Sequence, residues 1–119
     1  MTRDEILAMT AGRELDKLVA EKCLGLEVLT SANNAVCDYY SPQINIKGRS
    51  ELPFYSTDLN AAWDALGGKY ELTLMARAGK MRLHTVLIYR GYGKTTIEIR
   101  SENPSEAICK AALLAEMGL

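Results

Sequence analysis

The chain has 119 residues, of which 48% are hydrophobic and 24% are charged. This balance is typical of one globular domain and excludes intrinsic disorder, and roughly 65% of the unfolded surface is expected to be buried on folding. No apolar run reaches the ~18 residues that span a bilayer, and the N-terminal stretch MTRDEILAMT carries acids where a signal peptide needs a basic region. We therefore predict a single domain, residues 1–119, that is located in the cytoplasm and has no membrane partner.

The cysteines Cys23, Cys37 and Cys109 have no CxxC spacing, and His84 is the only histidine. Neither a disulfide framework nor a zinc site is predicted, and no cofactor is expected. The net charge of −1 argues against general nucleic-acid binding. Residues 69–100, however, contain seven basic and two acidic residues, against seven basic and thirteen acidic elsewhere. This basic segment is either a solvated sheet edge or a positive face that meets an anion.

The first elements in chain order are helical. Asp4–Met9 predicts a short helical turn, and Thr10 is the predicted N-cap of a longer helix that ends at Gly25 and has one apolar face, formed by Leu15, Leu18, Val19 and Cys23. Leu26–Thr30 predicts a strand. Residues 31–54 show no sustained periodicity and are predicted to form an irregular insert, with QINIK (43–47) as a candidate edge strand.

The segment LPFYSTDLNAAWDAL, residues 52–66, predicts the next helix. Ser56 or Thr57 is the predicted N-cap, Asp58 lies in the first turn, and Phe54 is placed to pack onto that turn. One apolar face is predicted, which comprises Leu59, Ala62, Trp63 and Leu66. Trp63 is therefore expected in the core.

Three alternating segments follow, KYELTLMARA, KMRLHTVLIYR and TTIEIRS, with turn signals near residues 79–80 and 91–94. They predict an antiparallel meander, and the middle segment is apolar on both faces, which favours helices on both sides of the sheet. Asn103 is the predicted cap of the last helix, with Pro104 at its first position and Glu106 at capping-box spacing. The predicted fold class is α/β of the α+β type: a three-layer α/β/α sandwich with a mainly antiparallel four-stranded sheet, in the order helix-strand-helix-strand-strand-strand-helix.

Three motifs, AGRELDKLVAEKCLG, YSTDLNAAWDAL and ICKAALLA, occur in an order that resembles the phage ABA sandwich domain family. The resemblance implies a sheet between helices and an origin in a bacteriophage or prophage. It implies no catalytic residues, because no family-wide activity accompanies it.

No nucleophile elbow, phosphate loop or dinucleotide fingerprint is present, and Asp58 and Asp64 do not share a helix face. His84, on a central strand, is expected to be packed or hydrogen-bonded, and no enzymatic activity is predicted. The motif RGYGKTT, residues 90–96, is interpreted as a plain hairpin turn, with an anion-binding loop as the alternative.

The leading functional hypothesis is a phage accessory protein, of the counter-defence type, that sequesters a phosphate-bearing, nucleotide-like small molecule without turning it over. Stacking and hydroxyl contacts are predicted from Tyr39, Tyr40, Tyr55, Ser56, Thr57 and Asp58, and positive charge from Arg82, Arg90, Lys94 and Arg100. A homo-oligomer with pockets between subunits is expected, because one small domain can hardly enclose such a ligand. The alternative is a protein-interaction module that inhibits a host or phage protein through residues 31–54.

Overall fold

Four helices and six strands make up the part of the chain that the structure describes. In this computed structural model the described residues are 2–30, 35–41, 46–67, 70, 72–76, 84–88 and 96–118. The elements in chain order are α1 (Arg3–Ala8), α2 (Arg13–Lys22), β1 (Glu27–Thr30), β2 (Ala35–Ser41), β3 (Ile46–Glu51), α3 (Leu59–Leu66), β4 (Leu72–Ala76), β5 (His84–Ile88), β6 (Ile97–Ser101) and α4 (Pro104–Glu116).

The strands form two separate antiparallel sheets of three strands each, in the orders β1-β2-β3 and β4-β5-β6. In the second sheet Val86 lies opposite Leu74 on one side and Ile99 on the other. The mixed α and β composition and the antiparallel meander of the last three strands are therefore confirmed. The prediction of one four-stranded sheet is wrong, because β1 pairs with β2, the next strand along the chain, and an antiparallel neighbour needs only a short connection.

The predicted irregular insert contains two of these strands, β2 and β3. The prediction of irregular chain is therefore wrong for residues 35–41 and 46–51. Strand β3 has the sequence IKGRSE, which has no apolar alternation, and it is defined by its pairing with β2. The candidate edge strand QINIK overlaps β3 at Ile46 and Lys47, and residues 43–45 lie outside the described residues.

Helix α4 lies between the second sheet and the other helices. It packs against β5 and β6 and also against α1, α2 and α3. Its residues from Ala107 to Leu114 are all buried, and several of them are small enough to let neighbouring elements approach on more than one side. The mixed Ala and Leu composition of this helix accordingly reflects burial nearly all round.

The predicted N-cap of α4 is confirmed. The side chain of Asn103 accepts hydrogen bonds from the backbone N–H groups of Ser105 and Glu106, at 3.0 and 3.2 Å. The backbone N–H of Asn103, which in a capping box donates to the side chain of Glu106, donates here to the hydroxyl of Ser101 at 3.1 Å. Glu106 instead accepts a hydrogen bond from Lys110 at 2.6 Å.

One face of the second sheet is buried and the other is open at its β6 edge. Ile97 and Ile99 are buried, whereas Glu98 and Arg100, which alternate with them, are exposed. This alternation is typical of an antiparallel sheet with one solvated face. The prediction of helices on both faces does not hold at β6, where α4 covers one face only.

Helix α2 begins later than the sequence predicts. Its N-cap is Gly12, not Thr10, and the backbone N–H of Gly12 donates to the hydroxyl of Ser56 at 2.9 Å. The cap partner therefore comes from a distant segment, which a local capping rule does not detect. The predicted end is confirmed: Gly25 follows the helix with a φ of +65°, a left-handed conformation that favours glycine.

Candidate functional site

A buried carboxylate on α2, that of Asp16, joins this helix to the segment before α3. Asp16 is fully buried. Its Oδ1 accepts the backbone N–H of Ser56 at 2.7 Å and the Ser56 hydroxyl at 2.6 Å, and its Oδ2 accepts the guanidinium of Arg13 at 3.0 Å. Three donors, one of them charged, thus compensate the cost of removing the carboxylate from water.

The hydroxyl of Ser56 both donates and accepts a hydrogen bond. Its single proton is assigned to Asp16, since Oδ1 lies at 2.6 Å while the carbonyl oxygen of Gly12 lies at 3.1 Å. As an acceptor the same oxygen receives the Gly12 N–H. Ser56 therefore satisfies the buried carboxylate and the first turn of α2 together.

Arg13 and Asn103 complete this polar cluster. Arg13 donates to the carbonyl oxygens of Leu52 and Pro53, at 2.6 and 3.3 Å, and its guanidinium carbon lies 4.0 Å from the centre of the Phe54 ring. The side-chain amide of Asn103 donates to the carbonyl of Ser56 at 3.0 Å. Residues 52–56 are thereby fastened to the N-termini of both α2 and α4. The predicted packing of Phe54 onto the first turn of α3 gives way to this contact with Arg13.

The predicted ligand-binding residues of this segment lie in different environments. Tyr55 is 4% exposed and Ser56 is fully buried, whereas Thr57 and Asp58 are exposed. Neither predicted cap is correct, because the N-cap of α3 is Asp58, whose Oδ1 accepts the N–H groups of Asn60 and Ala61 at 3.0 and 3.4 Å. Asp58 takes this position because Ser56 is held inside the polar cluster.

The other predicted binding residues are not gathered at this segment in the described part of the chain. Arg100 is exposed on β6 and pairs with Glu98, with 2.9 Å between Nη2 and Oε1. Tyr39 and Tyr40 lie on β2, opposite Gly48 and Lys47, and their side chains are outside the described set. The remaining three predicted positions lie outside the described residues: Arg82, Arg90 and Lys94.

Helix α3 presents a large apolar surface to solvent. Trp63 is 43% exposed and Leu59 is 38% exposed, so the prediction that Trp63 belongs to the core is wrong. The two side chains are four residues apart and are therefore neighbours on the helix surface. Asn60 and Asp64, also exposed, flank them on the same side. We call these four residues the α3 face; Asp58, the N-cap, lies at the start of the same helix.

The buried side of α3 explains this outcome. Ala62 and Leu66 belong to the core, and Ala61 and Ala65 pack against it. Since α3 packs against α4, three alanines on the contact side let the two helices approach closely. An indole does not fit between closely packed helices, and the helix is rotated so that Trp63 faces outward.

Two further groups of polar side chains lie in or beside the core. The ammonium of Lys110, which is 6% exposed, donates to Glu106 at 2.6 Å and to the carbonyl of Leu7 at 2.9 Å, and thus joins α4 to the end of α1.

Burial, with a smaller effect from the charge of Asp16, raises the pKa of the Cys109 thiol. Burial and a 2.6 Å hydrogen bond to Glu116 raise the pKa of the Tyr70 hydroxyl. These thiol and phenol groups are therefore neutral at physiological pH and are not activated nucleophiles.

The described residues contain neither a metal-binding cluster nor a membrane-spanning helix. Within them, no group of three or more His, Cys, Asp or Glu side chains is placed to hold a metal ion. In the same ranges, no helix has both the length and the apolar character that crossing a bilayer requires. His84 lies on β5 and is partly buried, with Ala76 and Ser101 opposite it on the flanking strands.

Comparison with known proteins gives a structural relative. No protein-family model matches the chain, and no curated protein sequence matches it. The fold is similar to the crystal structure, at 2.0 Å, of a phage protein from Bacillus cereus ATCC 14579, with a TM-score of 0.65 and 23% sequence identity. The match covers 91% of this chain and 93% of that chain. At this identity the similarity establishes a shared fold.

Proposed function

We propose that this protein is a phage accessory protein that acts as a protein-interaction module and binds its partner through the α3 face. The observation that carries the proposal is the exposure of Trp63 and Leu59 side by side on a helix whose other side is buried. Tryptophan is strongly enriched among the residues that dominate binding energy at interfaces, and it loses little conformational entropy on binding.

The indole of Trp63 lies against the end of its own helix. A methyl group added at Gly67 would lie 3.4 Å from Cε2 of the indole, so the ring lies over this glycine at the end of α3. No described residue accepts a hydrogen bond from the indole N–H, which leaves this donor for a partner. A positioned aromatic ring with a free polar edge is suited to an interface.

The nucleotide-sequestration hypothesis has less support from the described residues. The Ser56 hydroxyl and the Asp58 carboxylate already make hydrogen bonds within the protein, and Tyr55 is buried. This hypothesis, with its homo-oligomer, remains a prediction from the sequence. Thermal unfolding with a panel of nucleotides tests it, since a ligand at 100 times its Kd adds about 2.7 kcal/mol of stability.

Phage origin is part of the proposal. The fold similarity to a phage protein supports it, as do the three motifs that resemble the phage ABA sandwich domain family. Membership of that family, the three-layer arrangement, the cytoplasmic location and the absence of enzymatic activity all stay predictions. Binding through residues 31–54 is the alternative surface for a partner.

A peptide-display selection tests the proposed surface. Random 12-residue peptides are selected against the whole protein, and each selected peptide is then measured against Leu59→Ser and Trp63→Ala. The matched control is Leu7→Ser, because Leu7 is 36% exposed, close to the 38% of Leu59, but lies on α1. We expect binding to fall at least tenfold in the two α3 variants and to be unchanged in the control. Peptides that bind both α3 variants as tightly as the unaltered protein would refute the proposal.

A further inference from the structure

The charges that residues 52–67 themselves contribute have one sign. Residues 52–67 contain two acids, Asp58 and Asp64, and no lysine or arginine. Both carboxylates are exposed, and no described side chain forms an ion pair with either of them. The apolar pair Leu59 and Trp63 is thus bordered by negative charge at the start of the helix and beside the indole.

A cation matches both components of this surface. The face of an indole attracts an ammonium or guanidinium group more strongly than other aromatic rings do, and a carboxylate nearby adds a direct charge contact. The same protein shows such a contact a few residues away, where the guanidinium of Arg13 lies 4.0 Å from the centre of the Phe54 ring and pairs with Asp16. A segment with two basic groups can place one over the indole of Trp63 while the other pairs with Asp64, the next residue along the helix.

From this charge complementarity we propose that the partner presents a cationic amphipathic segment, in which arginine or lysine side chains lie beside an apolar one. The inference depends on the proposed function, because it specifies what binds the α3 face. The apolar side chain of the partner packs against Leu59 and Trp63. Its basic side chains lie over the indole and beside Asp64 and Asp58, and they set the orientation of the segment.

Direct titration tests this charge preference. Trp63 is the only tryptophan of the chain, so its fluorescence reports binding at the α3 face alone. The probes are a 14-residue helical peptide of arginine, leucine and alanine, the same peptide with glutamate in place of arginine, and one with glutamine in place of arginine. We expect the arginine peptide to bind at least tenfold more tightly than the glutamate peptide. Added NaCl should weaken the arginine peptide and leave the glutamine peptide unchanged.

Variants separate the contribution of each carboxylate. Asp64→Asn should weaken the arginine peptide about two- to fivefold, the effect of one partly exposed ion pair. Asp58→Asn keeps a good N-cap residue, so it changes the charge while it preserves the helix start. Glu21→Gln on α2 is the matched control, because Glu21 is exposed but pairs with Lys17 away from α3. Equal loss in this control and in Asp64→Asn would overturn the proposal.

The selection described above distinguishes failure of this inference from failure of the proposed function. Peptides that depend on Trp63 and are rich in arginine and lysine support both. Neutral or acidic peptides whose binding requires Trp63 would overturn the charge preference alone. A selection that gives no Trp63-dependent peptide overturns both proposals. A Trp63 emission change that follows protein concentration, together with a dimer in sedimentation, overturns the cationic partner in favour of a second copy of this chain.

Discussion

Ser56 provides the sharpest test of how this fold is held together. Replacing Ser56 with alanine removes a single oxygen atom from the polar cluster and leaves the backbone N–H of residue 56 in place. Thr57→Ala is the matched control, because it removes a hydroxyl from the adjacent, exposed residue. The two variants therefore differ mainly in whether the lost hydroxyl was buried and hydrogen-bonded.

The magnitude follows from two interactions that end at the Ser56 oxygen. The hydroxyl donates to the buried Asp16 carboxylate at 2.6 Å, a charge-assisted bond that contributes about 1.5–3 kcal/mol. The Gly12 N–H, which donates to the same oxygen at 2.9 Å, would lose its acceptor at a cost of about 1–3 kcal/mol. Because one atom serves both bonds and the cluster can partly relax, we expect Ser56→Ala to lower the free energy of unfolding by about 3–4 kcal/mol. Thr57→Ala should change it by less than about 0.5 kcal/mol.

Urea unfolding followed by circular dichroism measures this difference. For a domain of this length, about 3 kcal/mol corresponds to a fall in Tm of roughly 10 °C. Amide hydrogen exchange adds a local readout, since the Gly12 N–H should lose protection in Ser56→Ala and keep it in Thr57→Ala. If Ser56→Ala were within about 1 kcal/mol of the control, the assignment of Ser56 as the central hydrogen-bonding residue would be refuted.

Three further predictions concern α4 and its neighbours. Asn103→Ala should cost about 2 kcal/mol in urea unfolding, because both the helix cap and the amide bond to the Ser56 carbonyl are lost. Asn103→Asp loses only the amide bond and should cost less than half as much, and equal losses would contradict the role of the cap. Lys110→Met should lower the free energy of unfolding by about 3 kcal/mol and increase hydrogen exchange at the end of α1. The double variant Lys110→Met with Glu106→Gln should recover part of this loss, because no unpaired carboxylate remains. Strictly additive effects of the two substitutions would contradict a coupled pair. The raised pKa of Cys109 keeps its thiol protonated in the fold while the unfolded chain ionises from about pH 8.5. This contribution to stability is complete below that pH and is lost above it, by about 1.4 kcal/mol per pH unit. In Cys109→Ala the decline above about pH 8.5 should be shallower than in the unaltered protein; identical pH profiles would exclude the thiol.

The sequence predicts best where structure is decided locally. The cap of α4 at Asn103, the glycine stop at Gly25 after α2 and the antiparallel order of the last three strands depend on neighbours a few residues away or on alternation within one segment. Strands β2 and β3 were missed because they lack an apolar alternation. Pairing between neighbouring strands defines them.

The polar cluster escaped prediction for another reason. Its bonds between segments join residues that are 39 to 47 positions apart in the chain, such as Arg13 with Leu52 and Ser56 with Asn103. A local reading assigned the Ser56 hydroxyl to a helix cap or a ligand, since both need an exposed oxygen. The available signal was the acid within the apolar pattern of α2, between Leu15 and Val19, which requires a buried donor elsewhere in the chain.

The outward position of Trp63 shows what periodicity leaves undetermined. A helical pattern gives the spacing of apolar residues, but an arc that contains Leu59, Trp63, Ala62 and Leu66 can turn either edge toward the core. The contacts with α4 decide between them, because the alanine side permits a close approach that the indole side prevents. The polar cluster fastens the residues just before α3 and so limits how far the helix can rotate. Exposure of Trp63 is thus a consequence of packing that stabilises the fold, and it leaves the indole accessible to the partner proposed above.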